Sequence, residues 1–587
     1  MLEMLNTIPA SFFSRDGKRL SFVAYAFLAL LCVGFFTPGI VTMPPTDRDE
    51  SSFAQASKQM IESGNLTDIR LQTKPRYKKP IGIYWLQSTA ARVLNPQHLN
   101  EIWAYRAPSF IGATVAVLMT AALGALLFSP ATGLLAAIML AGCVLLNVEA
   151  RLAKTDAALL GCVVVAMYGL AKAFVFARPF AMTEVISQSP PPLPNPPREG
   201  EGVLPFSVAF LFWTAFAVGV LIKGPIILLP VLGVLVWTKI SNKNIAWFRA
   251  LRPVLGLVYA LALIAPWFVV ISMQSHGAFM EQSAGHDMLA KLWQGQDRGM
   301  MPPGLHLMAL PLVFFPYALF VVFAAPDIWK NKRDAAVKFC LGWIVPTWFV
   351  FEVSLTKLPH YVLPAYPAIA LLTAKYLLDG FPTLAATTRR LPIALIVGMW
   401  LMIGAGFAFV FSALPAVVDK AWDIPQIAAG GVLFLAQGAA LLLLPRQKTA
   451  SLVALTLGGL VFMAVTFGYT LPRLQHIWMS RKIVEAVERL KPCEQSQIVS
   501  VGYNEPSLAF MAGTDTMMLT NAVEAAEAMQ QNACRVAVIN ATNKQGFLNA
   551  FAQSKQRPQE AGTIDGLNAG HGAQAALTIF TVPQGTP

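Results

Sequence analysis

Four short polar clusters interrupt an otherwise apolar chain: Asp47-Arg-Asp49-Glu50, Tyr77-Lys78-Lys79-Pro80, Glu149-Ala-Arg151-Leu-Ala-Lys154-Thr-Asp156 and Lys357-Leu-Pro-His360-Tyr361. A lone cation, Lys223, ends one of the apolar runs. Each cluster has an ordinary reading. Asp49 and Glu50 could cap a helix, Lys79 could reach for lipid head groups, Arg151 and Asp156 could pair, and His360 could pack on Tyr361. Taken together the residue types suit a reaction that separates charge. Cations aimed at a departing anion lower its barrier, and a carboxylate on the far side orients or deprotonates the nucleophile. Lys78, Lys79, Tyr77, Arg151, Lys223, Lys357, His360 and Tyr361 are the candidate anion-binding groups. Asp49 and Glu50 form the candidate catalytic pair, and Asp156 and Lys154 support the cations from behind.

The elements that hold these clusters are membrane spans. Of 587 residues, 56% are hydrophobic and only 13% charged, with mean hydropathy +0.56. Soluble domains carry about 25% charged residues, so a soluble multidomain protein and a disordered chain are both excluded. About 20 apolar residues cross a bilayer. The first such stretch, Leu20–Val41, follows Arg15-Asp-Gly-Lys-Arg19 and reads as an anchor starting inside, without the small-residue cleavage site of a signal peptide. Others fall at 107–128, 131–148, 157–177, 205–222, 225–238, 253–273, 305–328, 337–352, 359–379, 392–415, 426–444 and 450–470, giving about thirteen in all. The net charge of +13 then falls on cytoplasmic connections at Lys239–Arg252, Lys330–Lys338, Arg389–Arg390 and Arg446–Lys448, as the positive-inside rule requires. The four clusters face the outer side, where an interfacial basic patch invites an anionic ligand.

Within the first outer loop, 42–106, apolar residues at helical spacing after Asp49 predict one amphipathic helix lying in the interface, and Pro80 opens a second carrying Tyr84 and Trp85. Residues 178–204, with Pro190–Pro197, predict an extended cytoplasmic linker. The chain divides into a transmembrane unit, 1–471, and an outer tail, 472–587. In the tail, strands at Gln497–Val501, Arg535–Ile539 and Ala576–Phe580 alternate with helical stretches, the pattern of a small α/β domain. Cys493 and Cys534 each precede a strand there, either as a bonded pair or as two free thiols.

The order and placement of these motifs resemble the bacterial aminoarabinose transferase-like (ArnT-like) proteins, related to the protein mannosyltransferases of glycosyltransferase family 39. The likeness rests on Asp49-Glu50 opening its helix, Lys79-Pro-Ile-Gly-Ile-Tyr-Trp85, Ala150-Arg-Leu-Ala-Lys-Thr-Asp156, Lys223-Gly-Pro225 and Thr356-Lys-Leu-Pro-His-Tyr-Val-Leu-Pro364. It implies a GT-C fold and transfer of a sugar, 4-amino-4-deoxy-L-arabinose or a relative, from a polyprenyl-phosphate donor to lipid A or another envelope acceptor on the periplasmic face. It also implies the bacterial inner membrane, a cytoplasmic N-terminus and inversion at the sugar. On that reading the cations named above bind the donor phosphate. The chain departs from the pattern at Ser52-Phe53, where an Arg-Tyr pair is usual, and at Lys78, where an acidic residue is frequent. The second departure removes a carboxylate suited to a metal, so no metal site is carried over: the sequence shows no required cofactor and leaves a divalent metal open without a complete ligand set, and no nucleic acid partner is expected. A lipid-linked sugar flippase and a protein O-mannosyltransferase-like enzyme are the rival readings. Against the flippase, neither repeated halves nor a charge pair in mid-span is visible.

Overall fold

The computed structural model describes residues 8–176, 204–283, 285, 302–386, 390–490, 492–494, 496–552, 554, 557–568, 570 and 572–583. The Pro-rich linker expected over 178–204 lies outside the described residues except for Leu204, as do Arg389 and much of the connection 274–304. The chain is a polytopic helical membrane protein. Among the described residues nine helices are long and apolar enough to cross a bilayer, beside two shorter apolar ones, Phe22–Phe36 and Pro130–Gly142. Every apolar stretch read from the sequence is helical, but two are broken. The stretch 131–148 divides at Cys143, whose backbone is extended, into Pro130–Gly142 and Val144–Glu149. The stretch 305–328 divides into Leu305–Val313 and Ala318–Lys330 around Pro316, which has no N–H to continue a helix.

In chain order the first helices, which carry most of the polar clusters, are α1 (Phe22–Phe36), α2 (Asp49–Ser63), α3 (Gly82–Leu94), α4 (Trp103–Leu127), α5 (Pro130–Gly142), α6 (Val144–Glu149) and α7 (Asp156–Phe176). A further run, Phe206–Lys223, ends at Gly224, whose φ of +66° is a left-handed conformation that favours glycine. One continuous apolar core runs through this unit, from Leu28 and Phe35 through Leu146 and Trp343 to Leu455. Outward-facing residues of the later helices are apolar too: Leu442 is 84% exposed and Phe409 73%. In water such a girdle would be costly; against lipid tails it is the expected surface.

The tail forms a five-stranded sheet in the order β4-β3-β5-β7-β6, made of β3 (Gln497–Val501), β4 (Met517–Leu519), β5 (Arg535–Asn540), β6 (Gln559–Asn568) and β7 (Ala573–Thr581). The preceding pair, β1 (Arg70–Leu71) and β2 (Lys74–Pro75), is a small hairpin between α2 and α3. β3 runs parallel to both β4 and β5, and β7 is antiparallel to β5 and β6. Apolar side chains on both faces are buried under helices, which is why β3 and β5 read as continuous apolar runs. β6, with Gly562, Asp565 and Gly566, lacks that pattern; it is an edge strand paired only to β7.

Cys493 and Cys534 are joined, their Cα atoms 5.3 Å apart, just before the parallel neighbours β3 and β5. Closing 41 residues of separation contributes about 4 kcal/mol in the chain-entropy treatment. Reduction with a phosphine should therefore lower the unfolding temperature of the tail. Unchanged protease resistance of the reduced tail would argue against that contribution.

The tail is not a separate appendage. Phe510 packs edge-on against Tyr105 and joins Ala54, Ala91 and Ile102 in a buried cluster between tail and loop. Lys58 donates to the Phe510 carbonyl at 3.1 Å, Gln55 to the Thr514 hydroxyl at 2.8 Å, and Gln72 to the Thr516 carbonyl at 2.6 Å. This corrects the expectation for α2. Instead of lying in the interface, it is buried on nearly all sides from Glu50 to Met60, held between α3 and the tail helix Pro506–Ala512.

Candidate active site

α2 begins where the sequence places it because Arg48 turns the chain. Its φ of 64° is left-handed, and Asp49 and Glu50 follow in the first helical turn, where negative charge is favourable. The two acids then diverge. Asp49 is exposed, within electrostatic reach of Lys154 and His360. Glu50 is buried and corrects the expectation of a catalytic pair. It accepts from Arg106 Nε at 2.8 Å, from the Thr46 N–H at 2.8 Å and from the Ala153 N–H at 3.0 Å. Burial raises its carboxyl, but the Arg106 guanidinium and these N–H groups outweigh that and hold it below its usual range. Glu50 is a tie that fixes α2 to α4 and to the connection before α7, leaving Asp49 outward.

Arg106 was not foreseen; it stood as a boundary residue of an apolar stretch. Its five N–H donors are all engaged, two by Glu50 and the others by the carbonyls of Ile40, Met43 and Pro44. Arg151, expected at the phosphate, is likewise spent. It is fully buried and donates to the carbonyls of Pro38, Phe35 and Asn147, with its plane 4.3 Å from the Phe467 ring centroid. It braces the end of α1 against α6. Asp156 does not hold Arg151, but pairs with Lys223.

The remaining cations divide between two places. Lys78, Lys79 and Lys223 line one slot of about 500 Å³. Gly82 makes this possible: a Cβ there would sit 2.7 Å from the Leu221 carbonyl, so the start of α3 lies directly against the end of the helix carrying Lys223. The rest of the lining is largely apolar, with Leu228, Leu232, Phe268, Phe279 and Phe351. Tyr361 also lines it, with Lys223 Nζ 5.6 Å from its ring centroid. Tyr77 does not reach the slot lining. Its hydroxyl donates to Asp68 at 2.9 Å and its ring packs on Phe279, and burial together with Asp68 pushes the phenol up to about 12. Lys357 is buried and donates to the Ser354 carbonyl at 2.6 Å, beside a different groove with Glu352 and Phe349.

Behind Lys223 lies a compact charged cluster. Glu149 Oε1 is 3.2 Å from Lys154 Nζ and 3.6 Å from His360 Nδ1, and His360 Nε2 is 3.9 Å from Asp156. Glu149 is the member that the sequence reading did not assign. Its signal was its place seven residues before Asp156, across the connection that carries Lys154. Among the described residues no group of three or more His, Cys, Asp or Glu side chains is arranged to hold a metal ion.

An apolar slot headed by lysines and backed by paired carboxylates can hold an anion with a long hydrocarbon tail and stabilise negative charge at its head. Lys79→Ala should then weaken use of such a substrate by about 2–4 kcal/mol, the scale of one lost electrostatic contact to a transition state. Steady-state kcat/KM is the check, and an unchanged value would assign Lys79 to lipid head groups alone.

Known proteins point the same way. Residues 78–181 match the dolichyl-phosphate-mannose-protein mannosyltransferase family. An undecaprenyl phosphate-alpha-4-amino-4-deoxy-L-arabinose arabinosyl transferase of Enterobacter sp. (strain 638) is 23% identical over 348 residues, 59% of this chain and 57% of that relative. Its counterpart 1 in Pseudomonas fluorescens (strain Pf0-1) is 24% identical over 366 residues, 61% and 56% of the two chains. The matches thus span less than three fifths of these relatives. The crystal structure of ArnT from Cupriavidus metallidurans bound to undecaprenyl phosphate superposes with a TM-score of 0.68 at 17% identity, covering 95% of this chain and 97% of that one. Its apo form gives 0.66 at 18% identity. The chain therefore shares the fold of ArnT, and in sequence it is similar to the arabinosyl transferases and, over residues 78–181, to the mannosyltransferase family.

Proposed function

We propose that the protein transfers a sugar from a polyprenyl-phosphate donor to an envelope acceptor on the periplasmic face of the bacterial inner membrane. The slot headed by Lys78, Lys79 and Lys223 carries this reading, because its shape and charge suit a phosphate with an isoprenoid tail. The relatives' names support undecaprenyl phosphate as the carrier and 4-amino-4-deoxy-L-arabinose as the sugar; lipid A is the acceptor that the resemblance implies.

The chemistry follows from the charges. As the bond between the anomeric carbon and the phosphate oxygen breaks, the sugar gains oxocarbenium character and the phosphate gains charge, which Lys79 and Lys223 offset. Lys223 is held for this by Asp156. The acceptor oxygen approaches from the side of Asp49, so the anomeric centre inverts. A hydroxyl acceptor gives its proton to Asp49, whereas a phosphate acceptor is already ionised and is only oriented. In this reading all thirteen apolar stretches cross the membrane, the N-terminus is cytoplasmic, and residues 472–587 cover the acceptor side.

Incubating the purified protein with labelled undecaprenyl-phosphate aminoarabinose and lipid A vesicles tests this. Glycosylated lipid A is the expected product. Movement of the label across the bilayer without product would replace the reading with a flippase.

A further inference from the structure

Glu149 sits at the centre of the charged cluster yet is only half used. Oε1 lies between Lys154 and His360, at 3.2 and 3.6 Å, while Oε2 is buried and has no hydrogen-bond partner among the described residues. A buried carboxylate oxygen with nothing donating to it is costly and calls for a role. We propose that Glu149 is a positioning residue of the transfer site, holding Lys154 beside His360 through one oxygen while the other takes up the proton that switches this hold off.

The groups facing Glu149 come from every element around it. Lys154 is on its own connection, Asp156 opens α7, His360 stands on the turn Pro359–Ala365, and Lys223 ends the helix Phe206–Lys223. Asp49, from α2, acts on Lys154 and His360 from the solvent side. Burial and the neighbouring Asp156 push the Glu149 carboxyl up to about 7, against the pull of Lys154. The sign follows. Above that value Glu149 is ionised and the hold is on; below it, a proton taken from water neutralises Glu149 and Lys154 loses its partner. Lys154 and His360 are the groups that Asp49 faces, so their placement bears on the reacting centre.

The proposal rests on the transfer reading, and its test separates the two. In wild type, kcat/KM should rise with pH through about 7. Glu149→Gln should remove that rise and lower kcat/KM at pH 8 on the order of 10²-fold, as misplaced catalytic groups do. Glu149→Asp, which keeps the charge, should restore the rise and part of the rate. Independently of turnover, carbethoxylation of His360 read by peptide mass spectrometry should be several-fold faster in Glu149→Gln than in wild type at pH 8. At pH 5.5 the two should match. A Glu149→Gln enzyme with the wild-type pH profile, or a His360 labelling ratio independent of pH, would overturn the proposal. Absence of any wild-type turnover would instead count against the transfer reading, with the labelling ratio still deciding for or against Glu149.

Discussion

Replacing Arg106 with alanine should destabilise the protein by about 3–5 kcal/mol, the cost of leaving one partner of a buried ion pair alone. Glu50 and Arg106 are both fully buried and no solvent can replace either. The loss would also free the carbonyls of Ile40, Met43 and Pro44, which cap the turn leading into α2. Lysine carries three donors in place of five, so Arg106→Lys should recover only part of the stability. Unfolding of the detergent-solubilised protein, followed by tryptophan fluorescence, is the measurement. A transition temperature for Arg106→Ala equal to wild type would mean that the tie between α2 and α4 is not needed to hold the loop.

Asp49→Asn should lower the turnover rate by about 10² to 10⁴-fold, the range for removing a general base, while leaving the fold intact. The side chain is exposed in the first turn of α2, so the change costs at most about 1 kcal/mol of helix-dipole interaction. The contrast with Arg106 is the informative part. One residue away from Glu50, the same kind of carboxylate should matter to rate and not to stability. Turnover near normal in the asparagine variant would exclude Asp49 from the reaction.

Much of this was legible because lipid imposes a simple rule: each crossing must be a helix, so apolar length located the helices, nine of which, among the described residues, are long and apolar enough to cross against the about thirteen expected. The strands β3 and β5 were legible for a similar reason, since burial on both faces leaves uninterrupted apolar runs. Other features were not. β6 pairs at an edge with a polar, glycine-bearing sequence, and β4 has only three residues. In the site, the fold brings four of the eight expected anion-binding residues, Lys78, Lys79, Lys223 and Tyr361, to one slot. Sequence could not tell a cation that faces a ligand from one that braces the backbone, because both are arginines or lysines beside apolar runs. Arg151 braces the backbone, and among the carboxylates Glu50 does the same. Arg106 and Glu149 gained their roles only when helices distant in sequence met. α2 was read as interfacial because its amphipathic face was visible and its cover, the tail helix some 450 residues later, was not.

The central claim is that the lysine-headed slot holds a polyprenyl phosphate. It is tested most directly by irradiating the protein in nanodiscs with undecaprenyl phosphate bearing a diazirine in its isoprenoid tail, then mapping the adducts by mass spectrometry. The account predicts labelling of the slot walls at Leu228, Leu232 and Phe268, reduced in the Lys79→Ala variant. Labelling spread evenly over the lipid-facing girdle, and indifferent to Lys79, would contradict it.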